Sequence, residues 1–445
     1  MTIAPLLVAL IVLSTAIVTA DSLGRSAALR RAIDTGPARN VILLIGDGMG
    51  TSEITSARNY AVGADGRLAI DELLITGQVT THSVLETDPT APDYDPESAS
   101  TSTAWSTGFK TADGRISTAP GTDADLENLV DRAEAAGFLT GNVSTSEITD
   151  ATPAGPMAHV RSRSCQGPAD MASCPQDAKS AGGPGSIAEQ SIDHGVDVIL
   201  GGGRARYEQI VTGGPYAGQS VVDQAEAEGY TYVTDLTQLQ ATGPGERVLG
   251  LFTSGNMSMD LTGLPAVVGG TGPQTCNEDQ RPANEPSLGA MTTKALEILS
   301  AGANGRGRGQ PGFFLQVESA SIDKRDHAAQ PCEQIGEMLN FDEAVRVALD
   351  FAAANKNTLV IVSADHSHTS LIVESDYDGP GLYSTLITAD GQPMTVHYGT
   401  APQGGSQQHT GGTVPILAAG PHAGEVAGLI DQTDIFRIIV NALGI

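Results

Sequence analysis

In the segment SIDKRDHAA, Asp323 and His327 stand four residues apart. On a helix that spacing places both side chains on one face, suited to gripping one ion. Asp365 and His366 are adjacent, with His368 two residues on, and His409 lies in the glycine-rich context SQQHTGG. Imidazole nitrogen combined with carboxylate oxygen suits zinc. Each of these residues taken alone reads as a surface residue or a histidine bonded to backbone. That plainer reading stands for His82, His159, His194, His397 and His422. Ser98 sits in DPESASTSTAWSTG, a run of small and hydroxylated residues. A serine is a weak nucleophile until a base or a metal lowers its pKa, and no G-x-S-x-G elbow is present to suggest an α/β-hydrolase. The run Gly201–Gly203 reads as a turn at a strand end, because three glycines alone are a weak phosphate-cradle signal.

Distant residues of this kind need a framework that brings them to one place. Short apolar runs at 41–45, 141–144, 196–200, 248–252, 313–317, 359–363 and 414–418 have the near-continuous hydrophobicity of strands buried on both faces. Between them lie helical patterns, at 126–136 with Gly137 as a cap and at 333–355. The alternation predicts an α/β fold, a three-layer sandwich with a central, mostly parallel sheet flanked by helices. Ligands of such sheets bind beyond the carboxyl ends of the strands. Asp47, Glu318 and Asp365–His366 each follow an apolar run directly. The stretches 85–97, 165–186, 261–287 and 301–312 read as loops, and no internal repeat or interdomain linker is evident. The organisation expected is a leader at 1–20, an N-terminal arm at 21–39 and one catalytic domain from 40 to 445.

Composition narrows the classes. Asp and Glu number 52 against 24 Lys and Arg, a formal charge of −28. A duplex-binding protein needs a basic face, so nucleic acid is not an expected partner, and an acidic surface also repels anionic membranes. The charge reads as a soluble, solvated surface, or as adaptation to brine, where salt screens self-repulsion. The opening MTIAPLLVALIVLSTAIVTA has the apolar run and small terminal residues of a secretory leader cleaved after Ala20, although no Lys or Arg precedes the run. An uncleaved anchor is the alternative; no later segment is apolar enough to span a bilayer. The even set Cys165, Cys174, Cys276 and Cys332 suggests two disulfides in an exported chain. Three pairings are possible. Local spacing favours Cys165–Cys174 with Cys276–Cys332, and the lack of a CxxC pair argues against a cysteine zinc site.

The stretches VILLIGDGMGTSEITSARNYA, STAWSTGFKT, TGNVSTSEITDATPAGPMAHV, GFFLQVESASIDKRDHAAQPCEQIGE, NTLVIVSADHSH and QHTGG, in this order, resemble the alkaline phosphatases, in particular their periplasmic enterobacterial branch. The resemblance runs from about residue 40 to the C-terminus. It implies hydrolysis of phosphate monoesters through a phosphoserine at Ser98, with two zinc ions and one magnesium. It implies Asp323, His327 and His409 as ligands of the first zinc and Asp47, Asp365 and His366 of the second. Asp47 would also reach magnesium, with Thr152 and Glu318, whose hard oxygens that ion prefers. Asp150 would act on magnesium through waters, Arg163 would clamp the phosphate, Lys324 would reach it through water, and His368 would orient Asp323. The resemblance supports the cysteine pairing above. It further implies a periplasmic or secreted homodimer without stable membrane association once processed, acting on small phosphate monoesters with inorganic phosphate as product and inhibitor.

One position departs from the family pattern. Glu97 stands where the family has aspartate before the nucleophile, and its extra methylene is expected to shift or loosen the Arg163 clamp. Among related enzymes, a sulfatase needs a modified Cys or Ser in a Pro- and Arg-containing motif absent around Ser98. A diesterase generally lacks the full magnesium set and the arginine. A non-catalytic metal- or phosphate-binding protein would have lost ligands, and every expected ligand is present. The charge of −28 generates a prediction. Activity and thermal stability should hold or rise in NaCl of about 1–2 M, where the screening length falls to roughly 3 Å; a steep loss of both in a salt titration would exclude salt adaptation.

Overall fold

The computed structural model describes residues 26–278, 280–305 and 311–445. The expected leader at 1–20 lies outside the described residues, as does the start of the arm. The core is a ten-stranded sheet of β1 (Asn40–Gly46), β2 (Ile75–Thr80), β3 (Leu139–Glu147), β4 (Val198–Gly202), β5 (Tyr230–Val233), β6 (Arg247–Leu251), β7 (Phe313–Ser319), β8 (Thr358–Ala364), β9 (Val414–Ala419) and β10 (Gly428–Asp431). They lie in the order β10-β2-β9-β8-β1-β7-β3-β4-β6-β5. Nine strands run parallel, and β9 alone is reversed against both neighbours. Every residue of β1, β7 and β8 is buried. Because successive side chains alternate between faces, burial at every position requires cover on both sides of the sheet, the three-layer arrangement. Each large apolar side chain so buried contributes roughly 1.5–3 kcal/mol.

Each of the seven apolar runs marks a strand, five lying wholly inside it, while 196–200 starts two residues before β4 and 248–252 ends one residue after β6. The three strands not foreseen, β2, β5 and β10, are partly exposed and carry polar residues or glycine, so no apolar run marks them. Two expected loops also contain strands. Asp88–Asp93 pairs with Ser83–Leu85 in a two-stranded ribbon. Thr271–Gln274 joins Leu371–Val373, Pro393–Tyr398 and Leu382–Ile387 in a separate four-stranded sheet. Segments as poor in β-formers as DPTAPD and TGPQ take strand geometry from their partners rather than from propensity.

Eight helices matter to the site and its support: α1 (Thr51–Val62), α2 (Ser98–Thr107), α3 (Leu129–Ala135), α4 (Ile187–Asp193), α5 (Leu288–Gly305), α6 (Ser321–His327), α7 (Pro331–Ala354) and α8 (Gln432–Leu443). The end of α5 occupies the start of the expected loop 301–312. Helix α3 begins at 129 rather than 126 because Asn128 caps it, in a reciprocal box with Asp131. Gly137 follows it in the left-handed region that helix ends favour. The disulfides are Cys165–Cys174 and Cys276–Cys332. Among the described residues no helix is long and apolar enough to cross a membrane.

The register positions the site. Gly46 of β1 lies opposite both Ser319 of β7 and Ala364 of β8, so three strands end flush. The residues that follow them, Asp47, the 320–327 segment and Asp365–His366, therefore emerge side by side. Glu318 lies opposite Ser144 of β3, whose chain continues to Asp150 and Thr152.

Candidate active site and metal centre

Asp47 leaves β1 with its amide donating to Ser319 O (3.0 Å), and its own carbonyl accepts from Asp323 N (3.0 Å). Gly48 has φ +69°, and a Cβ there would stand 3.0 Å from Asp323 Cα and Cβ. Glycine thus permits α6 to start this close to the end of β1. Gly48 N and His366 N both donate to Asp365 Oδ1, at 2.8 Å each, which fixes that carboxylate. Helix α6 then carries Asp323 and His327 on one face, as their spacing predicts.

Two groups of potential ligands result. In the first, Asp323 Oδ1 is faced by His409 Nε2 at 3.2 Å and by His327 Nε2 and His368 Nε2 at 3.3 Å each. In the second, His366 Nε2 faces Asp365 Oδ2 at 3.1 Å and Asp47 Oδ1 at 3.6 Å. The stacked rings of His366 and His409, with centroids 3.8 Å apart, join the two groups. Three of the histidines share one device. His327 Nδ1 points at Gln407 O, His366 Nδ1 at Ser367 O and His409 Nδ1 at Pro96 O. A carbonyl there holds the proton on Nδ1 and leaves the Nε2 lone pair free for a ligand. His327 Nε2 and His409 Nε2 consequently aim at each other across 3.0 Å. His368 differs: its Nδ1 accepts from Thr369 N (2.9 Å), so the proton sits on Nε2 and faces Asp323. That nitrogen lies 3.3 Å from Asp323 Oδ1.

The electrostatics fit cations. Asp47 Oδ1, Asp323 Oδ1, Asp365 Oδ2 and Thr152 Oγ1 are buried without a hydrogen-bond partner, a costly arrangement for protein atoms alone. Burial raises Asp47 well above the usual carboxylate range, helped by Asp365, Asp323 and Glu318. Burial likewise pushes Asp365 up to about 6 and Glu318 up to about 7. Burial opposes ionisation of Asp323 too, but facing His368 and His409 hold it well below its ordinary value. Burial lowers His366, whereas Asp323 overcomes the burial of His409 and raises it to about 9. The two groups, and Thr152 with Glu318 and Asp47, thus supply donor atoms of the chemistry divalent cations take. Glu318 is held in place by Ser144 and by Ser146 (3.2 Å).

Ser98 begins α2, is buried, and places Oγ 3.4 Å from His366 Nε2. Glu97 caps this helix, its Oε1 accepting from Ala99 N (3.0 Å), Ser100 N (3.2 Å) and Gly114 N (2.6 Å). Its other oxygen meets Arg163 Nη1, so the longer side chain keeps its ion pair with the arginine. Asp150 stands between two cations, 2.7 Å from Arg163 Nη2 and 2.7 Å from Lys324 Nζ. Burial works against its charge, but Lys324 and Arg163 hold it well below the usual range. A groove of about 500 Å³ opens beside Lys324 and His327, walled by Val267, Leu382 and Gln403.

Asp47, Asp323, His327, Asp365, His366, His368 and His409 gather in the two groups, Ser98 lies beside His366, and Glu97, Arg163, Asp150 and Lys324 form one chain of ion pairs, with Thr152 two residues beyond Asp150. Sequence reasoning missed the orienting groups, Pro96 O and Gln407 O, because backbone carbonyls carry no residue-type signal. It also left His159 and His194 as isolated histidines; the structure brings both to Asp131, with ligand atoms within 4.8 Å of one another. Nothing in their separation of 28 and 63 residues from Asp131 signals the meeting.

A sequence model of the alkaline phosphatase family matches residues 38–404. The chain is 50% identical to streptomycin-6-phosphate phosphatase of Streptomyces griseus, over 92% of this chain and 91% of that one. It is 47% identical to alkaline phosphatase of Escherichia coli, over 95% and 89%. Among solved structures, alkaline phosphatase from the Antarctic bacterium TAB5 shares the fold with a TM-score of 0.68 at 24% identity, over 92% of this chain and 98% of that one.

Ligands with raised pKa values must shed protons before they bind metal. Zinc and magnesium affinity should therefore weaken on acidification from pH 9 to pH 6, as His409 (about 9), Glu318 (about 7) and Asp365 (about 6) gain protons in turn. Competition with a chromophoric chelator measures this, and affinity that stays flat across the range would count against the ligand set.

Proposed function

The chain belongs to the alkaline phosphatase family, and we propose from that premise that the cluster at the strand ends is its active centre, with Ser98 as nucleophile. Phosphate-monoester hydrolysis is the family's reaction and this chain's. In the proposed assignment Asp323, His327 and His409 would hold one zinc, and Asp47, Asp365 and His366 a second. Asp47, Thr152 and Glu318 would hold magnesium, with Asp150 acting on it through water. When bound, the cations neutralise the phosphate dianion, favour ionisation of the serine hydroxyl and lower the pKa of the hydrolytic water. The observation that carries the reading is the position of Ser98 Oγ, 3.4 Å from His366 Nε2 and against buried ligand atoms without partners.

The protein's own groups then divide the work. Ser98 Oγ attacks phosphorus, the bond to the ester oxygen breaks, and the alcohol departs with that electron pair and takes up a proton. Water attacks the phosphoserine in the second step, releasing inorganic phosphate and restoring the serine hydroxyl. The N-terminus of α2 adds a favourable dipole for negative charge at Ser98. Arg163 has a planar fork of five donors. Glu97 and Asp150 engage one on each terminal nitrogen, leaving others for two non-bridging phosphate oxygens. Lys324, tied to Asp150, adds positive charge at the same opening. A loose phosphoryl-transfer transition state needs mainly this positioning and charge neutralisation. The two disulfides suit an oxidising compartment, so the reading includes export to the periplasm or beyond.

Turnover of a chromogenic phosphate monoester should disappear on chelation and return when zinc and magnesium are restored. Ser98→Ala should lower it by at least about a thousandfold and abolish phosphoenzyme trapped at low pH; a phosphoenzyme persisting in that variant would displace Ser98 from the role. In Glu97→Asp the side chain is one methylene shorter and holds Arg163 less fully, so inhibition by inorganic phosphate should tighten several-fold. An inhibition constant equal to that of the parent would remove Glu97 as a determinant of phosphate release.

A further inference from the structure

Away from the strand ends, Asp131 of α3, His159 and His194 meet at the junction of three segments. His159 Nε2 lies 3.0 Å from Asp131 Oδ2, and His194 Nδ1 lies 3.6 Å from Asp131 Oδ1. The imidazole rings are 5.8 Å apart. These spacings match those among the ligand groups at the active centre, where the corresponding distances run from 3.1 to 3.6 Å.

The orientation of the rings is more telling than their proximity. His159 Nδ1 points at Ser117 O from 3.0 Å, the same carbonyl device that frees Nε2 on His327, His366 and His409. Asn128 Oδ1 accepts from Asp131 N as the cap of α3, which turns Asn128 Nδ2 toward His159 Nε2 at 3.2 Å. The Ser117 contact places a proton on Nδ1, while Nε2 lies within reach of both Asn128 Nδ2 and Asp131 Oδ2, and Asp131 raises the pKa of this ring against its burial. His194 Nδ1 is buried and has no hydrogen-bond partner, and burial lowers the pKa of this ring, keeping it neutral. Two imidazole nitrogens and one carboxylate thus converge, and a cation there takes the place of the proton that Asp131 favours on His159. The side chains of Asp131 and His194 are 29% and 25% exposed, so solvent can reach the point of convergence.

We propose that Asp131, His159 and His194 form a further zinc site, with water as its fourth ligand. Its place in the fold gives it a role as a brace. Gln190 of α4 clasps the backbone of His159 from both sides, donating to its carbonyl and accepting from its amide at 2.9 Å each. The chain then bridges Val160 to Ile116 and Arg163 N to Gly114 O (2.7 Å). A cation here pins α3, α4 and the 159–163 segment together, four residues before the phosphate-clamping arginine.

The test counts metal. Wild type and His194→Ala are saturated with zinc and magnesium, freed of unbound metal by gel filtration, and analysed by mass spectrometry for metal per chain. The wild type should carry one zinc more per chain than the variant, and zinc should raise the Tm of the wild type further than that of the variant. Equal zinc content would overturn the proposal, leaving an ion pair between Asp131 and protonated His159. Asp131→Asn, which can still cap Asn128, provides an independent variant with the same expectation. A cobalt titration of the zinc-loaded wild type needs no variant: exchange into the brace should give a visible d–d band that saturates at one cobalt per chain before turnover changes. No such band would equally overturn it.

Discussion

Asp47, Asp323, Asp365 and Glu318 have their carboxyls gathered in one buried region, and like charges so close in a low dielectric cannot all ionise unless cations intervene. Most of the surrounding structure follows from that constraint. The flush ends of β1, β7 and β8 bring the carboxylates together. Backbone amides of Gly48 and His366 fix Asp365, and serine hydroxyls fix Glu318. Carbonyls hold the imidazoles in the tautomer that leaves Nε2 free. Lys324 is the ammonium that works against the rise at Asp47 and Glu318 without reversing it, although it is tied to Asp150. The protein is arranged to hold negative charge that it does not itself neutralise.

The parts of this arrangement differed in how plainly the sequence carried them. The strands that bear the site were legible because burial on both faces demands an unbroken apolar run, as at 41–45 and 359–363. The i, i+4 pair Asp323 and His327 was legible because helical spacing is local. Strands β2, β5 and β10 were not, since a partly exposed strand admits glycine, threonine and tyrosine and is selected by its neighbours. The four-stranded sheet was hidden for the same reason, TGPQ being recruited by Leu382–Ile387 far along the chain. At the site, Ser98 and Arg163 were identified through resemblance: a serine among serines and threonines announces nothing, and its surroundings come from β8 and α2 together. The meeting of Asp131 with His159 and His194 was beyond reach, because each comes from a different element.

Glu97 shows how one substitution can be absorbed. Its carboxylate caps the nucleophile helix, accepts from Gly114 and pairs with Arg163. A second bridge runs deeper. Trp105 of α2 donates to Gln316 Oε1 (3.0 Å), and Gln316 Nε2 donates to Thr152 O (2.8 Å). The nucleophile helix, the central strand β7 and the turn bearing Thr152 are thereby held in one frame, with a fully buried indole at its centre.

The reversal of β9 gives His409 a different standing from the other proposed ligands. The rest follow strands that end at the site and inherit their rigidity from the sheet. His409 lies on chain still on its way in, five residues before the first residue of β9, within a stretch that is largely exposed from 402 to 413. Its imidazole is held by Pro96 O, by its stacking on His366 and by Asp323 Oδ1 at 3.2 Å. In the proposed assignment it is the ligand least tied to the sheet, delivered from the exposed side of the centre rather than from a strand end.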